Sequence, residues 1–253
     1  MGGTPTPITE WKEPKQRLKG NLAKLLAREM YEYDSSSIVV IFGKTGAGKS
    51  QYAMKIAYQF LGDWSQVLSW MVFTPFDFSE LIDYLDQNDK WTPIIIWDDA
   101  GPWLELLKRN SWHPLAIGIR GSFETARLRV GAVILTMTTD RSLPRGIAYD
   151  GYIYKYRAKM VKWGHQVNGH AKSVARIQVR VERRNEWGRF YWEEQYRDHV
   201  TLNTPIYEEY EALRKKYLSL YNKLIKASRV LRPNQLLDYI AREWEKMRDE
   251  GKI

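Results

Sequence analysis

The chain has 253 residues, of which 44% are hydrophobic and 27% charged. It is long enough to bury a core and too apolar for a disordered polyelectrolyte. It contains no cysteine, which excludes disulfide scaffolds, thiolate metal sites and cysteine nucleophiles. The net charge of +9 is uneven: residues 141–200 carry +7, residues 201–253 carry +3, residues 1–36 carry +1 and residues 37–140 carry −2. A localised positive field points to a polyanion partner, most simply DNA, or else to a solvated basic face. No stretch reaches the ~20 apolar residues of a membrane span, so no membrane partner is expected. Met1 to Glu10 lacks the charged start and apolar run of a secretory signal, so the expected location is the cytoplasm (of the host cell, if the chain is viral).

In chain order, residues 1–9 read as a tail and 14–31 as a helix, with Leu18, Leu22, Leu25, Leu26 and Met30 at helical spacing. Ile38 to Phe42 is a short β-branched run, hence a buried strand, and a helix should follow the glycine-rich segment through about Phe60. Val67 to Phe73 reads as a strand, Phe78 to Leu85 as a helix, and Pro93 to Asp99 as a second buried strand ending in two carboxylates. Residues 114–128 read as a helix and Ala132 to Met137 as a third apolar strand. Alternating helices and continuous apolar strands indicate an α/β fold, a parallel sheet covered on both faces.

The pattern changes near residue 152, where apolar and basic residues alternate. Tyr154, Tyr156, Ala158 and Met160 share one face, and Lys155, Arg157 and Lys159 the other. Asn168-Gly169 and the segment 185–188 are turn signals, and Ile177, Val179 and Val181 alternate with Arg176, Gln178 and Arg180. This is an antiparallel β-meander with one basic face. Thr204-Pro205 reads as a helix start, with Ile206, Tyr210, Leu213, Tyr217, Leu220 and Leu224 as its apolar stripe, and 233–249 as a last helix. The stripe suits either a coiled-coil partner or packing within the chain. The expected organisation is an N-terminal tail and helix (1–36), a nucleotide-binding core (37–150), a basic meander (151–200) and a C-terminal helical pair (201–253).

The chemistry is concentrated in Gly43-Lys44-Thr45-Gly46-Ala47-Gly48-Lys49-Ser50. This is a complete phosphate-binding loop, set between a strand and a helix. Glycines let the backbone curl so that its N–H groups face phosphate oxygens, and the helix N-terminus adds partial positive charge. Lys49 would reach the β- and γ-phosphates, Ser50 would ligate Mg²⁺, and Gln51 is placed with the nucleotide-binding set. Asp98 ends the second strand, where a second Mg²⁺ contact belongs, and Asp99 is the candidate for polarising the attacking water. Alternatively, this carboxylate pair caps the next helix. Thr138, at the end of the third strand, is placed to sense the γ-phosphate, unless it belongs to an ordinary turn. Arg141 and Arg145 are candidates for an arginine finger acting across a homo-oligomer, or for surface roles. Lys155, Arg157, Lys159, Arg176 and Arg180 form a cation ladder suited to a DNA backbone. The four histidines are scattered and read as surface residues.

Three segments in order carry a family resemblance: Gly43 to Ser50, Ile94 to Asp99, and Leu135-Thr136-Met137-Thr138-Thr139-Asp140-Arg141. Together they resemble AAA+ ATPases of the DnaA and helicase-loader type. More closely, the chain resembles the small DnaA-like ATPases of archaeal spindle-shaped viruses, where the Asp-Asp pair is likewise followed by Ala-Gly and an aromatic, as in Ala100 to Trp103. The resemblance implies an AAA+ P-loop ATPase using ATP and Mg²⁺, with a role in replication of a virus or mobile element beside a replication partner protein. A DNA translocase or genome-packaging ATPase shares these parts, and a nucleotide-switched DNA-binding protein with little turnover is a third possibility. A small-molecule kinase fits the basic stretch poorly.

Overall fold

The computed structural model describes residues 17–149, 154–167, 170–182 and 190–253. The two turn signals at 168–169 and 185–188, together with Tyr152 and Trp187, lie outside the described residues.

The elements run α1 (Asn21–Glu32), β1 (Ser37–Phe42), α2 (Lys49–Leu61), α3 (Trp64–Ser69), β2 (Met71–Val72), α4 (Pro75–Gln87), β3 (Thr92–Trp97), α5 (Gly101–Arg109) and α6 (Pro114–Arg129). They continue with β4 (Val130–Met137), a 3-10 turn (Asp140–Ser142), α7 (Arg145–Tyr149), β5 (Tyr156–Val167), β6 (His170–Glu182), β7 (Phe190–Thr201), α8 (Tyr207–Ala227) and α9 (Pro233–Asp249). The seven strands among the described residues form one sheet, ordered β2-β3-β4-β1-β5-β6-β7. Strands β2 to β5 pair in parallel, and β5-β6-β7 antiparallel. Every residue of β3 and β4 is buried, as in a parallel sheet covered on both faces. The α/β reading therefore holds, as a mostly parallel sheet with an antiparallel part.

Three differences from the expected elements have local causes. The run 67–73 is not one strand, because Asp63 accepts the Ser65 N–H at 3.0 Å and starts α3 there, leaving only Met71–Val72 to pair. Helix α5 has no counterpart among the expected elements. It starts on Gly101-Pro102, and Leu104 N–H donates to the Ala100 carbonyl at 3.0 Å. Thr204 does not cap α8. Its hydroxyl bonds Gln51 Oε1 at 3.2 Å, and the helix begins at Tyr207 after a turn.

Helix α1 begins at Asn21, residues 17–20 before it are not helical, and the expected tail 1–9 and helix start at 14–16 lie outside the described residues. Its N-terminus is held by Asp198 of β7, which accepts from Asn21 N–H at 2.8 Å, Leu22 N–H at 3.3 Å and Tyr52 Oη at 2.6 Å. A carboxylate there offsets the helix's partial positive end.

The expected boundary at 150/151 is not an edge of the sheet. Strand β5 pairs with β1 through Val39↔Tyr156 to Phe42↔Lys159, so the basic meander grows directly from the core. Tyr154, Tyr156, Ala158 and Met160 are all buried, matching the period-two reading. Leu220, Leu224, Leu236, Leu237, Ile240 and Trp244 of α8 and α9 belong to the same hydrophobic cluster as the sheet strands.

Candidate functional site

The glycine-rich loop leaves β1 and ends at Gly48, whose backbone is left-handed (φ 84°). A side chain there would be strained, and its Cβ would also lie 2.3 Å from Leu202 Cδ2. Gly43 (φ 150°) faces Met160 of β5, whose carbonyl oxygen would lie 2.5 Å from an added Cβ. The loop thus needs glycine at both positions, because β5 and the segment after β7 press against it. Lys44, Thr45 and Gly46 lie toward the tip, while Ala47 is buried and donates its N–H to the Lys44 carbonyl at 3.2 Å.

Lys49 lies at the first position of α2, and its Nζ donates to the carbonyls of Gly43 at 3.2 Å and Lys44 at 3.3 Å. Burial lowers its pKa, against the opposing pull of Asp99 and Asp98. Asp98 is fully buried and accepts three hydroxyls: Thr136 at 2.6 Å, Ser50 at 2.7 Å and Tyr210 at 2.7 Å. Burial raises its pKa and the neighbouring Asp99 adds to this, while the three hydroxyl donors oppose it.

Asp99 departs from strand geometry with φ 50°, outside the usual range for a non-glycine residue. Its N–H donates to Thr136 Oγ1 at 3.0 Å, which fixes the turn after β3. Its carboxylate points to α8, where Arg214 Nη2 and Nε donate at 2.6 and 3.1 Å.

These groups surround a cavity of about 460 Å³ lined by Thr45, Lys49, Ser50, Asp98, Asp99 and Thr138 on the sheet side. Gln51 lines it as well. Opposite stand Tyr210, Arg214, Tyr217 and Tyr221 of α8, with Phe73 stacked on Tyr217 at 4.7 Å between centroids. The cavity thus combines backbone N–H groups, Lys49, hydroxyls and two carboxylates at the N-terminus of α2 with an aromatic wall opposite, a lining suited to an anion with its metal ion and to an apolar or ring portion. The Ser50 hydroxyl and Asp98 carboxylate, 2.7 Å apart, form a hard-oxygen pair that suits Mg²⁺ held jointly with phosphate oxygens.

Three residues of the site are not evident from the sequence. Thr136 is a single hydroxyl inside an apolar strand, and only its contact with both carboxylate residues gives it a role. Tyr210 and Arg214 are four apart on α8, one helical turn. Tyr210 falls within the apolar stripe of that helix, so its hydroxyl is the one signal that could mark it.

Arg145 lies elsewhere. It lines a second cavity of about 410 Å³ with Lys108, Arg120, Phe123 and Ile147. The exposed Arg141 accepts a Lys108 hydrogen bond on its carbonyl at 2.8 Å.

Lys155, Arg157, Lys159, Arg176 and Arg180 do share a face, with Lys159 opposite Arg176. Four of the five hold carboxylates: Lys155 pairs with Glu29, Arg157 with Asp140, Arg176 with Glu194 and Arg180 with Glu182. Arg157 also bonds Gln178 at 2.7 Å and lies 4.4 Å from the Trp192 ring centre. The acids come from α1, from the turn after β4 and from the meander itself, so a charge count along one segment could not reveal the neutralisation. Of the histidines, His113 caps α6, its Nδ1 accepting Leu115 N–H at 3.3 Å, and His199 lies 5.3 Å from Trp163 between ring centres. The side chains of His165 and His170 lie outside the described residues.

No known protein-family profile matches the chain. The uncharacterized protein B-251 of Sulfolobus spindle-shape virus 1 is 32% identical over 200 residues, covering 70% of this chain and 73% of the relative. The uncharacterized protein ORF286 of Acidianus two-tailed virus is 31% identical over 142 residues, covering 53% of this chain and 49% of that protein. Among solved structures, the flagellar accessory protein FlaH from Methanocaldococcus jannaschii aligns with a TM-score of 0.33 and 13% identity, over 56% of this chain and 77% of that one. That likeness is too distant to carry a statement about function. The similarity to B-251, by its identity and extent, places this chain in the same archaeal-virus protein family.

Proposed function

We propose that the chain binds ATP with Mg²⁺ in the cavity between the glycine-rich loop and α8, hydrolyses it, and couples turnover to work on DNA in replication of a virus. The observation that carries the reading is convergence: Lys49 and Ser50 after β1, Asp98 and Asp99 after β3, and Thr138 after β4 all face one cavity at the N-terminus of α2. Backbone N–H groups of Gly46 to Lys49 would hold the phosphates, and Lys49 would exchange its two carbonyl partners for phosphate oxygens. Ser50 and Asp98 would hold the metal, which when bound neutralises phosphate charge and so lowers the barrier to nucleophilic attack. Asp99 would orient the attacking water and accept its proton, and Thr138 would bond the γ-phosphate. The AAA+ assignment rests on the order of these motifs, as does the part given to an oligomer, in which Arg145 would serve a neighbouring subunit.

One observation favours a second reading, a nucleotide-switched DNA-binding protein that turns over slowly. The Asp99 carboxylate is occupied by Arg214, so hydrolysis requires that pair to open.

The test is steady-state ATP hydrolysis with Mg²⁺, alone and with single- and double-stranded DNA, using Lys49→Ala as the blank. DNA-stimulated turnover that vanishes in the variant supports the first reading. ATP binding without turnover supports the second. Absence of both would overturn the nucleotide assignment.

A further inference from the structure

The outer half of the antiparallel part of the sheet carries a second feature, which begins at the row of Lys159 and Arg176. Strand pairing sets Lys159, Arg176 and Arg197 directly opposite one another, a row of three cations across β5, β6 and β7. Two residues further along the strands, Val161 and Val174 lie opposite each other, with His199 beside Val174 on β7. Two more residues on, Trp163 lies opposite Lys172. Residues two apart on a strand share a face, so these rows form one surface. Trp163 is 46% and Val161 40% exposed, and they lie side by side on this face, whereas Val174 is buried as the floor of a groove of about 470 Å³. Lys162, Arg176 and Arg197 line that groove. Arg176 and Arg197 share a single carboxylate, Glu194, so the pair retains positive charge.

We propose that this groove is a platform for single-stranded nucleic acid, with Trp163 and His199 taking the faces of unpaired bases and the row Lys159–Arg176–Arg197, with Lys172, taking the phosphates. The inference deepens the reading that the chain works on DNA and rests on it for the choice of partner. Charge complementarity selects a polyanion. The exposed indole selects among polyanions, because a duplex hides its base faces and gains nothing from an aromatic plane, whereas each unpaired base offers one. Neighbouring strands about 4.8 Å apart and same-face residues about 6.7 Å apart give a spacing on which bases and phosphates can alternate. The contacts proposed here go to phosphates and base faces rather than base edges, so binding without sequence preference is expected.

The platform is tested by fluorescence anisotropy on the full chain, with a labelled oligothymidylate of about 16 nucleotides, a duplex of equal length, and heparin as competitor. The single strand is expected to bind more tightly than the duplex. Trp163→Ala should weaken it roughly 5- to 100-fold while Trp163→Phe retains most of the affinity, since stacking needs only a ring. Lys159→Ala with Lys172→Ala should flatten the plot of log affinity against log salt by about 0.7 for each phosphate that is no longer neutralised. Unchanged affinity in Trp163→Ala, a preference for duplex, or heparin binding as sensitive to Trp163 as the oligonucleotide overturns the proposal. Lys49→Ala separates this inference from the nucleotide reading. Oligonucleotide binding retained in that variant without ATP leaves the platform standing whatever becomes of hydrolysis. ATP binding retained in Trp163→Ala with unchanged oligonucleotide affinity refutes the platform alone.

Discussion

Arg214 of α8 grips Asp99, the residue after the strand-end Asp98, with two N–H donors at 2.6 and 3.1 Å. One turn earlier on the same helix, Tyr210 donates to Asp98 at 2.7 Å. Helix α8 therefore closes the proposed nucleotide cavity from within the same chain, and both acidic residues answer to it. Arg214 is the second cation in the cavity besides Lys49. Burial works against its charge, but Asp99, Tyr210 and Asp98 together outweigh that and raise its pKa, so it stays protonated.

Removal of that guanidinium takes away a charge-assisted donor from the α8 wall of the cavity, opposite the glycine-rich loop. Such a hydrogen bond contributes about 1.5–3 kcal/mol. Arg214→Ala is expected to weaken ATP binding about 10- to 100-fold, measured by titration with a fluorescent ATP analogue. Unchanged affinity would show that Arg214 serves Asp99 alone.

Gly48→Ala should abolish nucleotide binding and cost about 1–3 kcal/mol of stability, because φ 84° is strained for alanine. Adding Leu202→Ala clears the 2.3 Å clash but leaves the backbone strain. The double variant is therefore expected to recover little, as judged by urea denaturation. Full recovery would place the whole effect in the clash.

Lys155 pairs with Glu29, which is buried and also accepts the Tyr156 hydroxyl at 2.6 Å. The pair ties α1 to the start of β5. Because the lysine is partly exposed, Lys155→Ala is expected to cost only about 1–2 kcal/mol, discounted from the roughly 3–5 typical of a broken buried pair. DNA affinity should hardly change. A large loss of DNA affinity with unchanged thermal stability would return Lys155 to the DNA surface.

Asp77 joins α4, α8 and α9. It closes the capping box with Thr74, accepts Trp244 Nε1 at 3.0 Å, and faces Tyr217. Burial raises its pKa to about 6, against hydrogen bonds from Thr74 and Trp244. A carboxyl raised in the folded state binds its proton more tightly there than in the unfolded chain. Its contribution is therefore complete below the unfolded value near 4 and is lost as pH rises through about 6. Urea midpoints between pH 4.5 and 7.5 should show the wild type losing about 2–3 kcal/mol relative to Asp77→Asn as pH rises. A pH-independent difference would locate the carboxyl titration outside this window.

Much of the site is legible in the sequence because its signals are local. The loop Gly43–Ser50 needs glycines at fixed offsets, and the carboxylates of Asp98 and Asp99 follow a buried β-branched run, so a short window suffices to find each. The period-two alternation of β5 likewise announces which residues are buried. What the sequence does not show is which distant groups meet them. Thr136, Tyr210 and Arg214 acquire meaning only when β4 and α8 arrive at Asp98 and Asp99. Four cations lose their apparent freedom only when Glu29, Asp140, Glu182 and Glu194 are brought beside them. By itself, then, the sequence determined the phosphate loop, the strand-end carboxylates and the buried face of β5, which depend on neighbours a few residues apart. The tertiary structure alone decided the charge pairing and the closure of the cavity, because those energies depend on distances between residues as far apart in the chain as Glu29 and Lys155.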